Sequence, residues 1–242
     1  MANILIVGKD LPESEYLIKG FELQGHKVFV TTGSDLSNPV ESESENIFTF
    51  AWNKSSSISS RSLLVTAESK LVNIDRVLIV FDAQYYSKKY ETERIEDCTM
   101  AVEKMISGYF YFCQTLLSRL TQKNTNIQIG FYLKTTTTRA DLVTAKNVSQ
   151  ATCTNGVAIA QEAFRSLAEN FGASFLELPD TEVFMCSTDH DNELYVNDRE
   201  TGNWILSYFD ALEKLKNKQS PKQALTWVKT GGKMPGGFSL FK

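Results

Sequence analysis

Apolar residues fall along this chain in short, nearly continuous runs, separated by longer stretches in which they recur every three or four positions. That alternation is the pattern of buried strands and covering helices. The first run, Asn3-Ile4-Leu5-Ile6-Val7-Gly8, leads through Lys9-Asp10-Leu11-Pro12-Glu13-Ser14-Glu15 into a helical pattern that closes at Gly25, and then into Val28-Phe29-Val30. It predicts strand, turn, a helix of about four turns and a second strand: the opening unit of a parallel sheet, whose first turn often holds a nucleotide's phosphates. Pro12 is expected in the first helical turn, with Asp10 or a neighbouring backbone group as the cap.

Asn46-Ile47-Phe48-Thr49-Phe50-Ala51-Trp52 alternates enough for a short strand, and the serine cluster 55–60 reads as a loop. Beyond it, Ser62-Leu63-Leu64-Val65 begins either a helix or an extended piece that runs through Leu71-Val72. Asp75-Arg76-Val77-Leu78-Ile79-Val80-Phe81-Asp82 is apolar without alternation, as in a central strand covered on both faces. A long helix is predicted over 97–120, a strand over 127–133, a second long helix over 154–171 with Gly172 as C-cap, and a strand over 173–178. Residues 181–202 read as a polar insertion, followed by a helix over 203–216, another opened by Ser220-Pro221, and a tail with Gly231-Gly232 and Gly236-Gly237. The order predicts a doubly wound parallel sheet in a Rossmann-like three-layer α/β/α arrangement, one domain over 1–242 with no linker dividing it.

Charge changes the picture little. Lys and Arg total 25 against 29 Asp and Glu, a net charge of -4, and the basic residues are scattered, which disfavours nucleic acid or an anionic membrane as partner. The apolar start is too short to span a bilayer and lacks a basic leader, so a cytoplasmic protein with no membrane association is expected. Cys98, Cys113, Cys153 and Cys186 lie far apart, and with His26 and His190 the only histidines, neither a disulfide framework nor a zinc site is indicated. Asp189-His190-Asp191 puts three potential ligands in a row, but adjacent residues rarely converge on one ion, and no metal site is assigned.

Three pieces resemble the short-chain dehydrogenase/reductase family. Val7-Gly8 with the helix to Gly25 is similar to its T-G-x-x-x-G-x-G turn and first helix. Gly108-Tyr109-Phe110 with Gln114-Thr115-Leu116-Leu117 resembles its fourth helix. Ala163-Phe164-Arg165-Ser166-Leu167-Ala168 before Gly172 resembles its active-site helix. The resemblance covers nearly the whole chain and implies the fold and, in the family, an NAD or NADP cofactor.

The family's functional positions carry over poorly. Its second and third glycines fall on Pro12 and Ser14, and Asp10, Glu13 and Glu15 add negative charge at the helix N-terminus. The NAD/NADP selector falls on Thr32-Gly33, the N-N-A-G motif on Phe81-Asp82-Ala83-Gln84, and the buried asparagine on Met105. The proton-transferring tyrosine falls on Cys153 and its lysine on Val157, which leaves no cation to lower a pKa. The family's serine falls among Thr135 to Thr138. A literal Y-x-x-x-K does occur at Tyr85 and Lys89, after the fourth strand instead of the fifth, and reads as a chance match.

No catalytic residue is therefore assigned. Gly8, Lys9, Thr32, Phe81, Thr135 and Cys153 are the candidates for lining the crevice at the strands' carboxyl ends. The expected function is that of a catalytically degenerate binding or scaffold protein with no cofactor. The alternatives are an atypical NAD- or NADP-dependent oxidoreductase with rearranged residues and a sensor of some other small ligand. In the family the helices matching 97–120 and 154–171 commonly pair between subunits, so a homodimer is expected through Met105, Tyr109, Phe112, Leu116, Ile159, Ala163 and Phe164.

Overall fold

The computed structural model describes residues 1–34, 44–90, 99, 101–123, 125–145, 152–216 and 225–236. The β-strands are β1 (Asn3–Leu11), β2 (Lys27–Gly33), β3 (Ile47–Trp52), β4 (Arg76–Asp82), β5 (Ile127–Lys134), β6 (Thr181–Thr188) and β7 (Trp227–Lys229). They form a single 7-stranded sheet in the order β3-β2-β1-β4-β5-β6-β7, every neighbouring pair parallel. Order reverses between β1 and β4, the switch point at which such sheets open a crevice.

The helices are α1 (Glu15–Glu22), α2 (Ser57–Leu71), α3 (Ala83–Lys89), α4 (Gly108–Gln122, entered through a π turn at Glu103–Ser107), α5 (Arg139–Ala145), α6 (Asn155–Leu176) and α7 (Asp198–Lys216). Strand side chains alternate between two cores. Leu5, Val7, Val77, Ile79, Phe81 and Phe131 pack with residues of α2, α4 and α6, while Ile4, Ile6, Leu78, Val80 and Tyr132 pack with residues of α1 and α7. This is the doubly wound three-layer α/β/α fold.

Several elements differ from the sequence expectation. Residues 173–178 form no strand: α6 continues to Leu176 because Phe164, Ala168, Gly172 and Phe175 keep the helical step and are all buried. Gly172 does not end the helix; a Cβ there would lie 2.9 Å from the Leu225 side chain, so glycine serves close packing. The sixth strand instead comes from the segment read as a polar insertion, in which Val183, Phe184, Met185 and Cys186 are buried. The serine cluster is not a loop throughout, since α2 begins at Ser57, capped by the Ser56 side chain, which accepts from the Ser59 N–H. The first helix has only 8 residues, and Pro12 lies before it, in the turn after a cis Leu11-Pro12 bond. The start of the long helix at 97–98, Cys98, Ser220-Pro221 and Gly237 fall outside the described residues.

Candidate functional site

β1 does not turn at Gly8 but runs three positions on to Leu11, which pairs with Thr32 after an irregularity in register beyond Ile6. Gly8 stands at φ +105, and a Cβ on it would lie 2.1 Å from the Val80 carbonyl oxygen and 2.7 Å from the Tyr109 ring. Glycine is required there so that β1 can press against β4 and Tyr109. At the start of α1 the Ser14 N–H donates to the Asp10 carbonyl (3.0 Å) and the Glu15 N–H to that of Pro12 (3.0 Å). Those donors of the helix N-terminus are engaged by the chain itself, and Glu15 adds a carboxylate in the first turn.

Lys54, just past β3, is tied to the carboxyl end of β1 and to Tyr86 of α3. Its Nζ donates to Asp10 Oδ2 (2.7 Å), the Gly8 carbonyl (3.0 Å) and Tyr86 Oη (3.3 Å). Thr31 Oγ1 donates to the other Asp10 oxygen (2.5 Å), and the Tyr86 hydroxyl donates to that of Tyr109 (3.3 Å), which in turn donates to the Val80 carbonyl (2.8 Å). Burial alone would lower the Lys54 pKa, but the Asp10 carboxylate and the Tyr86 oxygen hold it above its ordinary value, so the ammonium stays charged. Over this floor opens a cleft of about 230 Å³, walled on one side by Tyr85, Lys89 and Tyr90 of α3 and its end, with Glu13 and Asn53 also lining it.

At the switch point itself sits a second buried network. Lys9 Nζ reaches Asp82 Oδ2 (2.7 Å) and Asp198 Oδ2 (2.5 Å), and Lys134 Nζ reaches Asp198 Oδ1 (3.0 Å). The chain thereby ties the ends of β1, β4 and β5 to the first residue of α7. Burial opposes ionisation of Asp198, but the two lysines overcome it and set its pKa below the ordinary carboxylate value; burial likewise opposes charge on Lys9, and Asp82 and Asp198 raise it. Asp82 also caps α3, its Oδ1 accepting from the Tyr85 N–H at 3.0 Å. Beside this network a shallower groove of about 410 Å³ is lined by Tyr16, Gln84, Lys134, Tyr195 and Arg199.

The residues singled out from sequence do not gather in one crevice. Lys9 is in the second network, and Gly8 supplies only its carbonyl to Lys54 and Tyr109. Thr32 is buried on β2, and Phe81 lies in the core, stacked on Phe164 at 5.2 Å between centroids. Thr135 is half-buried, its N–H donating to the Thr188 carbonyl (2.9 Å). Cys153 is buried, its N–H on the Thr137 carbonyl (3.1 Å), and Val157 and Met105 are buried in the core. His190 contacts Asp191 (3.2 Å), while Asp189 pairs with Lys229 (3.0 Å). No group of three or more His, Cys, Asp or Glu side chains among the described residues is placed to hold a metal ion.

Lys54, Asp82 and Asp198 carry the networks and were not nominated. Asp82 and Lys134 could have been, since each ends a strand; Lys54 and Asp198 meet their partners only through the fold. Tyr85 and Lys89, set aside as a chance motif, are brought together: Lys89 Nζ donates to Tyr85 Oη at 3.3 Å in the cleft wall.

Comparison with known proteins agrees with this architecture. No protein-family model matches the sequence, and no curated protein does. Solved structures do match. Serine dehydrogenase from Escherichia coli is similar with a TM-score of 0.61 and 13% identity, over 94% of this chain and 96% of that one. A short-chain dehydrogenase from Leptospira borgpetersenii with bound NAD+ has a TM-score of 0.60 and 10% identity over 95% and 91%. The 3-ketoacyl-(acyl-carrier-protein) reductase from Brucella melitensis complexed with NADH has 0.59 and 15% over 95% and 97%. The fold is that of the short-chain dehydrogenases/reductases. At these identities the likeness defines the fold and leaves the reaction to the site.

Proposed function

We propose that this chain is a catalytically degenerate short-chain dehydrogenase fold that acts as a binding protein and takes no nicotinamide cofactor. The observation that carries this reading is the continuation of β1 past Gly8 to Leu11, with Lys54 and Lys9 each held in a buried ion pair at the strand ends. A pyrophosphate needs open backbone N–H groups at a helix N-terminus and a glycine that yields room. Here the Ser14 and Glu15 N–H groups are engaged, Gly8 is packed, and the Glu13 carboxylate stands where a dianion would approach. The residues present do not fit the group. Nor does Cys153 beside a core valine at 157 supply an acid and a cation for carbonyl reduction. The second reading, an NAD- or NADP-dependent oxidoreductase, is favoured by neighbours that bind NAD+ and NADH, and a cofactor titration decides between the two.

The same proposal includes self-association. Met105, Tyr109, Phe112, Leu116 and Phe164 are buried in the chain's own core, so they are not the surface a partner would meet. Phe110 and Ile159, 50% and 64% exposed on α4 and α6, and the half-buried Phe171 against Phe110 supply the outward apolar face. A two-fold pairing of α4 and α6 would cover it. No described helix is long and apolar enough to cross a membrane, and the buried thiols of Cys113 and Cys186 suit the cytoplasm.

A further inference from the structure

The cleft above Lys54 keeps recognition chemistry that neither ion network uses. Lys89 is exposed, and its ammonium meets the Tyr85 hydroxyl and ring but no carboxylate among the described residues. Tyr85 accepts that hydrogen bond, which leaves its own proton to donate. Burial first, then the charge of Glu13, pushes its pKa up to about 12, so at neutral pH it remains a donor. One positive and one neutral donor on the same wall form an oxyanion-binding pair. Tyr90 borders the same cleft; its ring is backed by Tyr86 at 6.4 Å, and its hydroxyl is buried with no partner among the described residues. That oxygen is sealed from solvent, so Tyr90 meets a ligand in the cleft through its ring.

Resting on the reading that no dinucleotide occupies this fold, we propose that the cleft binds a small single-ring aromatic carboxylate, its carboxylate on Lys89 and Tyr85 and its ring against Tyr90. Size and charge set the class. The cleft holds about 230 Å³, below the roughly 300–1,000 Å³ of sites for drug-sized ligands, and suits one ring with one short substituent. Asp10 and Glu13 line it with Lys54, Lys89 and Lys104, two carboxylates against three ammonium groups, so the wall carries one net positive charge and matches a single negative charge on the ligand.

The test is calorimetric titration of the full chain with 4-hydroxybenzoate, its neutral amide 4-hydroxybenzamide, and NADH, on the wild type and on K89Q and Y85F. Lys89 is exposed, so K89Q is expected to melt with the wild type. The proposal expects saturable binding of the carboxylate below about 1 mM, weaker by at least about fivefold for the amide and for K89Q, with Y85F also weakened. It is overturned if the wild type takes up no carboxylate, if the amide binds within fivefold of the acid, or if K89Q weakens binding by less than fivefold. Absence of both carboxylate and NADH binding removes this inference alone. NADH that binds and displaces the carboxylate overturns the non-nucleotide reading as well.

Discussion

Lys54 Nζ lies 2.7 Å from Asp10 Oδ2 with both side chains nearly sealed from solvent, so the end of β3 is locked to the end of β1 across β2. Removing one partner leaves the other charge buried and uncompensated. Lys54→Ala or Asp10→Ala should each destabilise by about 3–5 kcal/mol, whereas Lys54→Met with Asp10→Leu should lose much less than the sum, because breaking a buried pair costs more than replacing it. Urea unfolding of the three variants measures this. Equal additive losses would mean that the two residues act independently.

Gly8→Ala should damage the fold severely. The position combines a positive φ with a Cβ placed 2.1 Å from the Val80 oxygen, and strain plus overpacking total about 2–6 kcal/mol. The expected outcome is a large fall in melting temperature or insoluble protein. A variant that melts with the wild type would show that β1 does not press on β4 as described.

Acid should weaken the protein through Asp198. Its folded pKa lies below the ordinary 3.8, so the native state holds this proton less readily than the unfolded chain. The stability it contributes is complete above the ordinary value and is lost as pH falls through the depressed one. Lys9 runs oppositely: its folded pKa is raised above 10.5, so its contribution is full below that pH and lost only as pH rises through the higher value. Urea midpoints followed from pH 6 down to pH 2 should fall more steeply for wild type than for Asp198→Asn. Parallel curves would remove Asp198 from the account.

Self-association should depend on the outward face alone. Phe110→Glu and Ile159→Glu are expected to convert a dimer to a folded monomer by light scattering, while Phe112→Glu and Phe164→Glu, placing charge in the core, should unfold the chain. A wild type that is monomeric at high concentration would end the dimer proposal.

The strands β1 to β5 were legible because continuous apolar runs such as 76–82 have no other stable home than a sheet covered on both faces. β6 was not, since its flanking threonines and the acidic loop after it masked the buried Val183 to Cys186, and Gly172 imitated a helix end. Of the site, Pro12, Ser14 and Val157 were legible as departures from the family's pattern, and the carboxyl ends of the strands were not. What fills them was hidden, because the contact of Lys54 with Asp10 spans 44 positions and that of Lys9 with Asp198 spans 189. Tyr85 and Lys89 were visible as a spacing, and only the fold shows the cleft they border.

If, as proposed, the chain's own side chains occupy the place of a dinucleotide, nicotinamide nucleotides find no room there. Trp52 lines the cleft, so energy transfer from tryptophan to bound NADH or NADPH reports directly on that place. No saturable transfer is expected with either nucleotide up to about 1 mM, a binding free energy weaker than about -4 kcal/mol. Saturable transfer at micromolar nucleotide, competed by the oxidised form, would contradict the proposal.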